Sequence, residues 1–224
     1  MKPKTMLKMA IDLIMTILLP ILMAYHLTGD LAHEWIGAVM FSLFILHHVL
    51  NITWYKNLFR GRYSARRIVQ TVVNLLISVA VIGLIVCGVI LSRHVFAALP
   101  ISGRMAFGRT LHHISSYWVF VLLSVHLGLH GEYILGLLRR APRVKMINRG
   151  VKILLRLSAA SVSAYGVYAF VKHQIGLYMF NIIQFSFFDY NQPAIIFFAD
   201  YLAIMGMLAV AAYYTSCLLS SRAK

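Results

Sequence analysis

Six stretches of roughly twenty or more residues, each poor in charge, leave this chain few folds to choose from. A hydrocarbon core about 30 Å thick is crossed by about 20 apolar residues in helical form. Only helices and closed barrels satisfy their own backbone polar groups in such a core. The stretches lie at about 7–25, 33–55, 68–92, 110–138, 153–171 and 194–219. Their lengths suit helices and exceed barrel strands. The expected fold is therefore all-α: one membrane domain over residues 1–224, a polytopic bundle of six transmembrane helices. Pro20 is a kink point in the first. The apolar run 13–24 ends without a small-residue cleavage site and enters His26-Leu27-Thr28. It reads as a retained first span rather than a signal peptide.

Composition agrees. Of the 224 residues 61% are hydrophobic and 12% charged, too little charge to cover a soluble domain of this size. The two cysteines, Cys87 and Cys217, each sit in an apolar run and form neither a disulfide framework nor a zinc motif. There is no Cys-x-x-Cys-His for covalent haem attachment.

The net charge of +15 invites a nucleic-acid reading, but its distribution answers a different question. Lys2, Lys4 and Lys8 precede the first span, and Lys56, Arg60, Arg62, Arg66 and Arg67 follow the second. Arg139, Arg140, Arg143, Lys145, Arg149, Lys152 and Arg156 lie between the fourth and fifth, and Arg222 and Lys224 end the chain. These 17 of the 21 basic residues fall on one side, leaving Arg93, Arg104, Arg109 and Lys172 on the other. Basic loops stay in the cytoplasm, so both termini are expected there, and no nucleic-acid partner is expected. Trp54 and Tyr55, just before Lys56, stand where an interfacial aromatic belt belongs. The aromatic connection 173–193 is expected to anchor in the outer interface, with capping of the bundle as the alternative.

Ten histidines are many for a membrane chain, and seven fall on two helices: His33, His47 and His48, then His112, His113, His126 and His130. Ionisable groups at membrane depth are costly and mark function. His33 and His47 are 14 residues apart, as are His112 and His126. Fourteen helical steps return to within about 40° of the same face and rise about 21 Å. The second and fourth spans run in the same direction, so His33 lies level with His112 and His47 with His126. Two facing imidazoles at one depth suit the axial positions of an iron porphyrin, and two such levels make an electron path between the leaflets. A structural zinc site wants four ligands clustered together, which two separated pairs do not supply.

Alternatives remain within each level. His48 and His113 are one step, about 100°, from His47 and His112. His130 is 18 residues from His112, a whole number of turns. Gly37, Gly83, Gly88, Ser116 and Gly128 could admit a macrocycle or serve ordinary helix packing. Arg109, one turn before His112, is the candidate cation for a haem propionate. Asp12 and Asp200, inside apolar runs, are candidates for a quinone-linked proton path or for local pairing, Asp12 with Lys8 four residues before it. His26, His94 and His173 are expected to be interfacial.

Several runs together resemble a known family. His33-Glu34-Trp35-Ile36-Gly37, Leu46-His47-His48-Val49-Leu50-Asn51 and Trp54-Tyr55-Lys56-Asn57-Leu58 are similar to the flavinylation-associated cytochromes. Leu111-His112, Ser116-Tyr117-Trp118, His126-Leu127-Gly128-Leu129-His130, Phe188-Asp189 and Gln192-Pro193 extend the likeness along nearly the whole chain. The resemblance implies a haem b cytochrome of a prokaryotic cytoplasmic membrane. It implies two non-covalent haems b on His33, His47, His112 and His126, with His113 at a variable position. It also implies electron passage between the quinone pool (menaquinone or ubiquinone) or a cytoplasmic donor and an extracytosolic flavoprotein bearing covalent flavin mononucleotide. An electron-transfer subunit is thus expected ahead of a stand-alone enzyme. The competing readings are a quinol dehydrogenase or metal-ion reductase with its own substrate site, and a proton-linked transporter, for which no convincing internal repeat is found.

Overall fold

The computed structural model describes residues 3–99, 104–139, 149–185 and 187–221. Part of the charge argument, including Arg140, Arg143, Lys145, Arg222 and Lys224, rests on residues outside that set. Among the described residues the chain is helical with no strand: α1 (Pro3–Met23), α2 (Tyr25–Leu50), α3 (Ile52–Lys56), α4 (Ala65–Leu91), α5 (Met105–Leu129), α6 (Gly131–Arg139), α7 (Arg149–Lys172), α8 (Ile175–Met179) and α9 (Ala194–Ser221).

Five helices, α1, α2, α4, α7 and α9, are long and apolar enough to cross a membrane. The expected fourth span, 110–138, differs. It is two helices, α5 and α6, that meet at His130 between Gly128 and Gly131, glycine being a weak helix former. With Arg109, His112, His113 and His126 on it, α5 is not among the helices long and apolar enough to cross a membrane by composition. It is also the most enclosed. Ser115, Tyr117, Val119, Phe120, Leu122, Ser124 and Leu129 are buried on it, and it packs between α4 and α9 with α8 across its upper part. A helix walled by other helices needs little lipid-soluble surface, so the polar residues concentrate here.

Helix contacts explain three of the glycines. A Cβ on Gly128 would lie 2.1 Å from the Ala209 carbonyl oxygen, and one on Gly166 2.4 Å from that of Ala203, so α5 and α7 both press backbone to backbone on α9. A Cβ on Gly83 would meet Ser115 Oγ at 3.0 Å, on the α4–α5 contact. By contrast, Cβ atoms on Gly37 and Gly88 would meet nothing within 4 Å.

α2 is set apart. It lies along α1, and not one of its residues is buried. Gly29, at φ 71°, breaks its first turn and turns the segment Tyr25–Thr28 back towards the bundle. The Glu34 carboxylate fastens α2 to the end of α4, accepting from Ser92 Oγ at 2.7 Å and from the backbone N–H of Arg93, His94 and Val95 at 2.8, 3.0 and 3.1 Å. At the other end Lys8 Nζ donates to Asn51 Oδ1 at 2.7 Å. Lys8 therefore does not pair with Asp12, as its spacing suggested; that carboxylate goes to His47. Ser64 caps α4 by accepting from the Arg67 N–H at 3.3 Å.

The connection 173–193 both caps and projects. Gln174, in the left-handed region at φ 51°, turns the chain into α8, whose Ile175, Tyr178 and Met179 join the core with Phe197, Tyr201 and Ile204. Phe185, Phe187 and Tyr190 stand 75–80% exposed. The capping alternative thus fits the first half of the connection, and the second half carries exposed rings.

Candidate functional site

The four histidines of the 14-residue pattern lie at two levels between α2, α4 and α5. At the upper level His33 on α2 faces His112 on α5, with ring centroids 5.9 Å apart and planes at 64°. At the lower level the titratable groups near enough to act on His126 are His130, His47, Asp12 and His48. The histidines follow the same order along both helices, so α2 and α5 run parallel as expected.

Three of the four imidazoles are held through Nδ1. His47 Nδ1 lies 2.7 Å from Asp12 Oδ1 on α1. His126 Nδ1 lies 2.8 Å from Asn74 Oδ1 on α4. His112 Nδ1 lies 3.4 Å from Cys87 Sγ on α4. That thiol donates to Leu84 O at 3.2 Å, which leaves its sulfur as the acceptor. A carboxylate, an amide oxygen and a thiol sulfur in these positions all favour the Nδ1–H tautomer. Each ring then keeps an Nε2 lone pair, the arrangement that outer partners impose on metal-binding histidines. His33 completes the set differently: its Nδ1 is buried with no hydrogen-bond partner among the described residues, and its ring edge meets Tyr25 at 5.2 Å.

Two of the rivals, His113 and His48, are occupied elsewhere, and His130 stays beside His126 at the lower level. His113 turns to the far side of α5, with ring centroids 5.3 and 5.2 Å from Tyr117 and Tyr178. His48 Nδ1 pairs with Tyr55 Oη at 2.8 Å, and its ring sits against Phe44 at 4.1 Å. His130 lies a turn beyond His126, ring to ring at 4.6 Å. Arg109 is exposed and has no hydrogen bond or ion pair among the described residues.

Between the levels α2 is loosely covered. Its stripe His33, Gly37, Met40, Phe44 and His47 is only partly covered, and the open faces of Gly37 and Gly88 belong to this side of the bundle or to its lipid surface. The helices thus stand close enough at the upper level to bring two imidazoles together, yet α2 is not packed down upon α5.

Among the described residues no group of three or more His, Cys, Asp or Glu side chains could hold a metal ion by itself. His33 and His112 come as a pair, which suits a group that brings further ligands of its own and suits a bare ion poorly; at the lower level the ring contacts among the described residues are His47 with His48 and His126 with His130. For an axial pair, metal–imidazole bonds of about 2.0–2.1 Å set the ring centres roughly 6 Å apart. The upper pair meets this spacing.

Reading by residue spacing missed Asn74, Cys87 and the Asp12–His47 contact. Asn74 and Cys87 did carry a signal. They are 13 residues apart on α4, a rise of about 20 Å, which matches the step between histidine levels. In comparison with known proteins, no family model, curated relative or solved structure matches the chain.

Proposed function

We propose that the chain is a dihaem b-type cytochrome of a prokaryotic cytoplasmic membrane. It would carry electrons between the quinone pool, or a cytoplasmic donor, and an extracytosolic flavoprotein. The observation that carries this reading is the two-level histidine set on parallel helices, three of its imidazoles tied through Nδ1 so that Nε2 is left for a metal. His33 and His112 would hold one haem and His47 and His126 the other. Bound there, haem would supply reversible one-electron chemistry.

The chain's own residues do the rest. Asp12, Asn74 and Cys87 fix ring orientation and tautomer. The Asp12 carboxylate makes His47 the more electron-rich ligand and favours a ferric iron at the lower level. Helices α1, α4 and α5 wall the levels from water. Arg109, exposed one turn above His112, is placed to answer a propionate.

In this reading α5 is the sixth span. Its 25 residues reach about 37 Å, and enclosure among helices explains its modest hydropathy. Both termini then face the cytoplasm, and the upper level lies nearest the outer surface.

The test is the visible spectrum and iron content of the purified chain, expressed with haem supply. Reducible b-type bands and two irons per chain are expected. A well-folded chain that takes up no haem under those conditions overturns the proposal.

A further inference from the structure

On the other side of α5 from the histidine levels, α8, the following loop and the ends of α2, α7 and α9 enclose a second site. It is a cavity of about 230 Å³. Its walls are flat rings: Tyr178, Phe187, Phe188, Phe197 and Tyr201. Its polar edge is His26, Lys172, His173 and Gln192. His26 and His173, expected from their sequence positions to be interfacial, here share one cavity.

The polar edge is built on a buried charge. The side chain of Asp200 on α9 is fully buried. It accepts hydrogen bonds from Lys172 Nζ at 2.7 Å, His173 Nε2 at 2.8 Å and Gln192 Nε2 at 3.1 Å, and from Tyr165 Oη. A carboxylate so placed is held by cations and donors on every side, which is what a buried charge requires. It also fixes the three groups that line the cavity. His173, giving its Nε2–H to Asp200, keeps Nδ1 as a lone pair that makes no hydrogen bond among the described residues. Across the cavity, His26 stacks on Phe188 with centroids 4.4 Å apart and planes at 18°, and meets Phe197 edge-on at 4.8 Å. Its Nδ1 is buried and has no hydrogen-bond partner among the described residues. His173 flanks the same Phe197 at 6.1 Å.

We infer that this cavity binds the headgroup of a membrane quinone or quinol. Flat aromatic walls stack a flat ring. His26 and His173, both beside Phe197, put two imidazoles on the polar edge, which suits two ring oxygens, as carbonyls or as hydroxyls. At about 230 Å³ the space lies below the roughly 300–1,000 Å³ typical of drug-sized ligands. It fits a one- or two-ring headgroup with its tail outside, and is too small for a three-ring flavin. The cavity lies at the same end of the bundle as the upper histidines. Tyr117 lines it and touches His113, the neighbour of His112, while His26 follows Tyr25, whose ring meets His33. The inference rests on the electron-transfer reading above for its purpose, though not for the binding itself.

The experiment puts the full chain in lipid nanodiscs, with and without haem, and measures equilibrium binding of 2-methyl-1,4-naphthoquinone, with free flavin mononucleotide as competitor. One saturable site per chain is expected in both preparations, with no competition by the flavin. His26→Gln and His173→Gln should each weaken it about fivefold to tenfold, the value of one hydrogen bond. Phe188→Ala, in the loop and outside the helix contacts, should weaken it as well and serves if His173→Gln does not fold. The haem spectrum should not change in any of the three. Binding no tighter than to protein-free nanodiscs, equal binding in all variants, or displacement by the flavin would each overturn the inference. Because the readout is ligand bound to haem-free chain, its failure is separate from a failure to find haem.

Discussion

The two histidine levels use the same ligand type and the same helices but support them differently. At the lower level, His47 and His126 rest on a carboxylate and an amide oxygen at 2.7 and 2.8 Å. At the upper level, among the described residues, His112 Nδ1 meets the Cys87 sulfur at 3.4 Å and His33 Nδ1 has no hydrogen-bond partner. In the proposed reading, position along the chain picks the candidate imidazoles, and what stands behind them on α1 and α4 sets their electronic character. If both levels hold haem, the lower should be the more electron-rich and lower in potential, and the upper the more easily reduced. That ordering favours electron flow towards the upper level.

The largest effects test whether the levels are separate. His33→Ala or His112→Ala should remove the upper haem, and His47→Ala or His126→Ala the lower, each halving iron per chain and leaving one set of b-type bands. His113→Ala and His130→Ala should leave both haems in place. Loss of the lower haem in His130→Ala with retention in His126→Ala would reassign the ligand and break the comparison.

A smaller effect is expected from the support of the lower level. Asp12→Asn keeps a hydrogen-bond acceptor but removes the charge behind His47. The lower midpoint potential should rise on the order of 60 mV, a tenfold change for one electron, with the upper one unmoved in a redox titration. A rise in the upper potential instead would show that Asp12 acts on the wrong level.

The smallest is Cys87→Ser. Sulfur is a weak acceptor, and the contact with His112 is long, so the upper potential should move by less than about 20 mV, a fraction of the shift that a charged partner causes. A shift as large as that of Asp12→Asn would mean that the upper level has outer support after all.

Much of the fold was legible. The long apolar runs at 7–25, 33–55, 68–92, 153–171 and 194–219 correspond to α1, α2, α4, α7 and α9, because a helix facing lipid must advertise its apolarity over its whole length. The 110–138 run was less faithful. Its polar residues and the glycines at 128 and 131 gave an enclosed helix and a short second one, where uniform hydropathy suggested a single span. The equivalence of His112 and His113, open on spacing alone, was broken only by packing: one ring meets His33 and the other meets Tyr178.

The sequence by itself determined that the chain is helical and rich in membrane-length segments, and that histidines recur at one helical face with a 14-residue step. Both follow from local physics, the cost of an unsatisfied backbone in hydrocarbon and the 3.6-residue turn. Which imidazoles face one another, that Asp12 serves His47 rather than Lys8, and that Asp200 gathers Lys172, His173 and Gln192 beside His26 were decided by tertiary structure. Those pairings join residues 8 to 79 positions apart on different elements, and no periodicity within one helix encodes how its neighbours are turned.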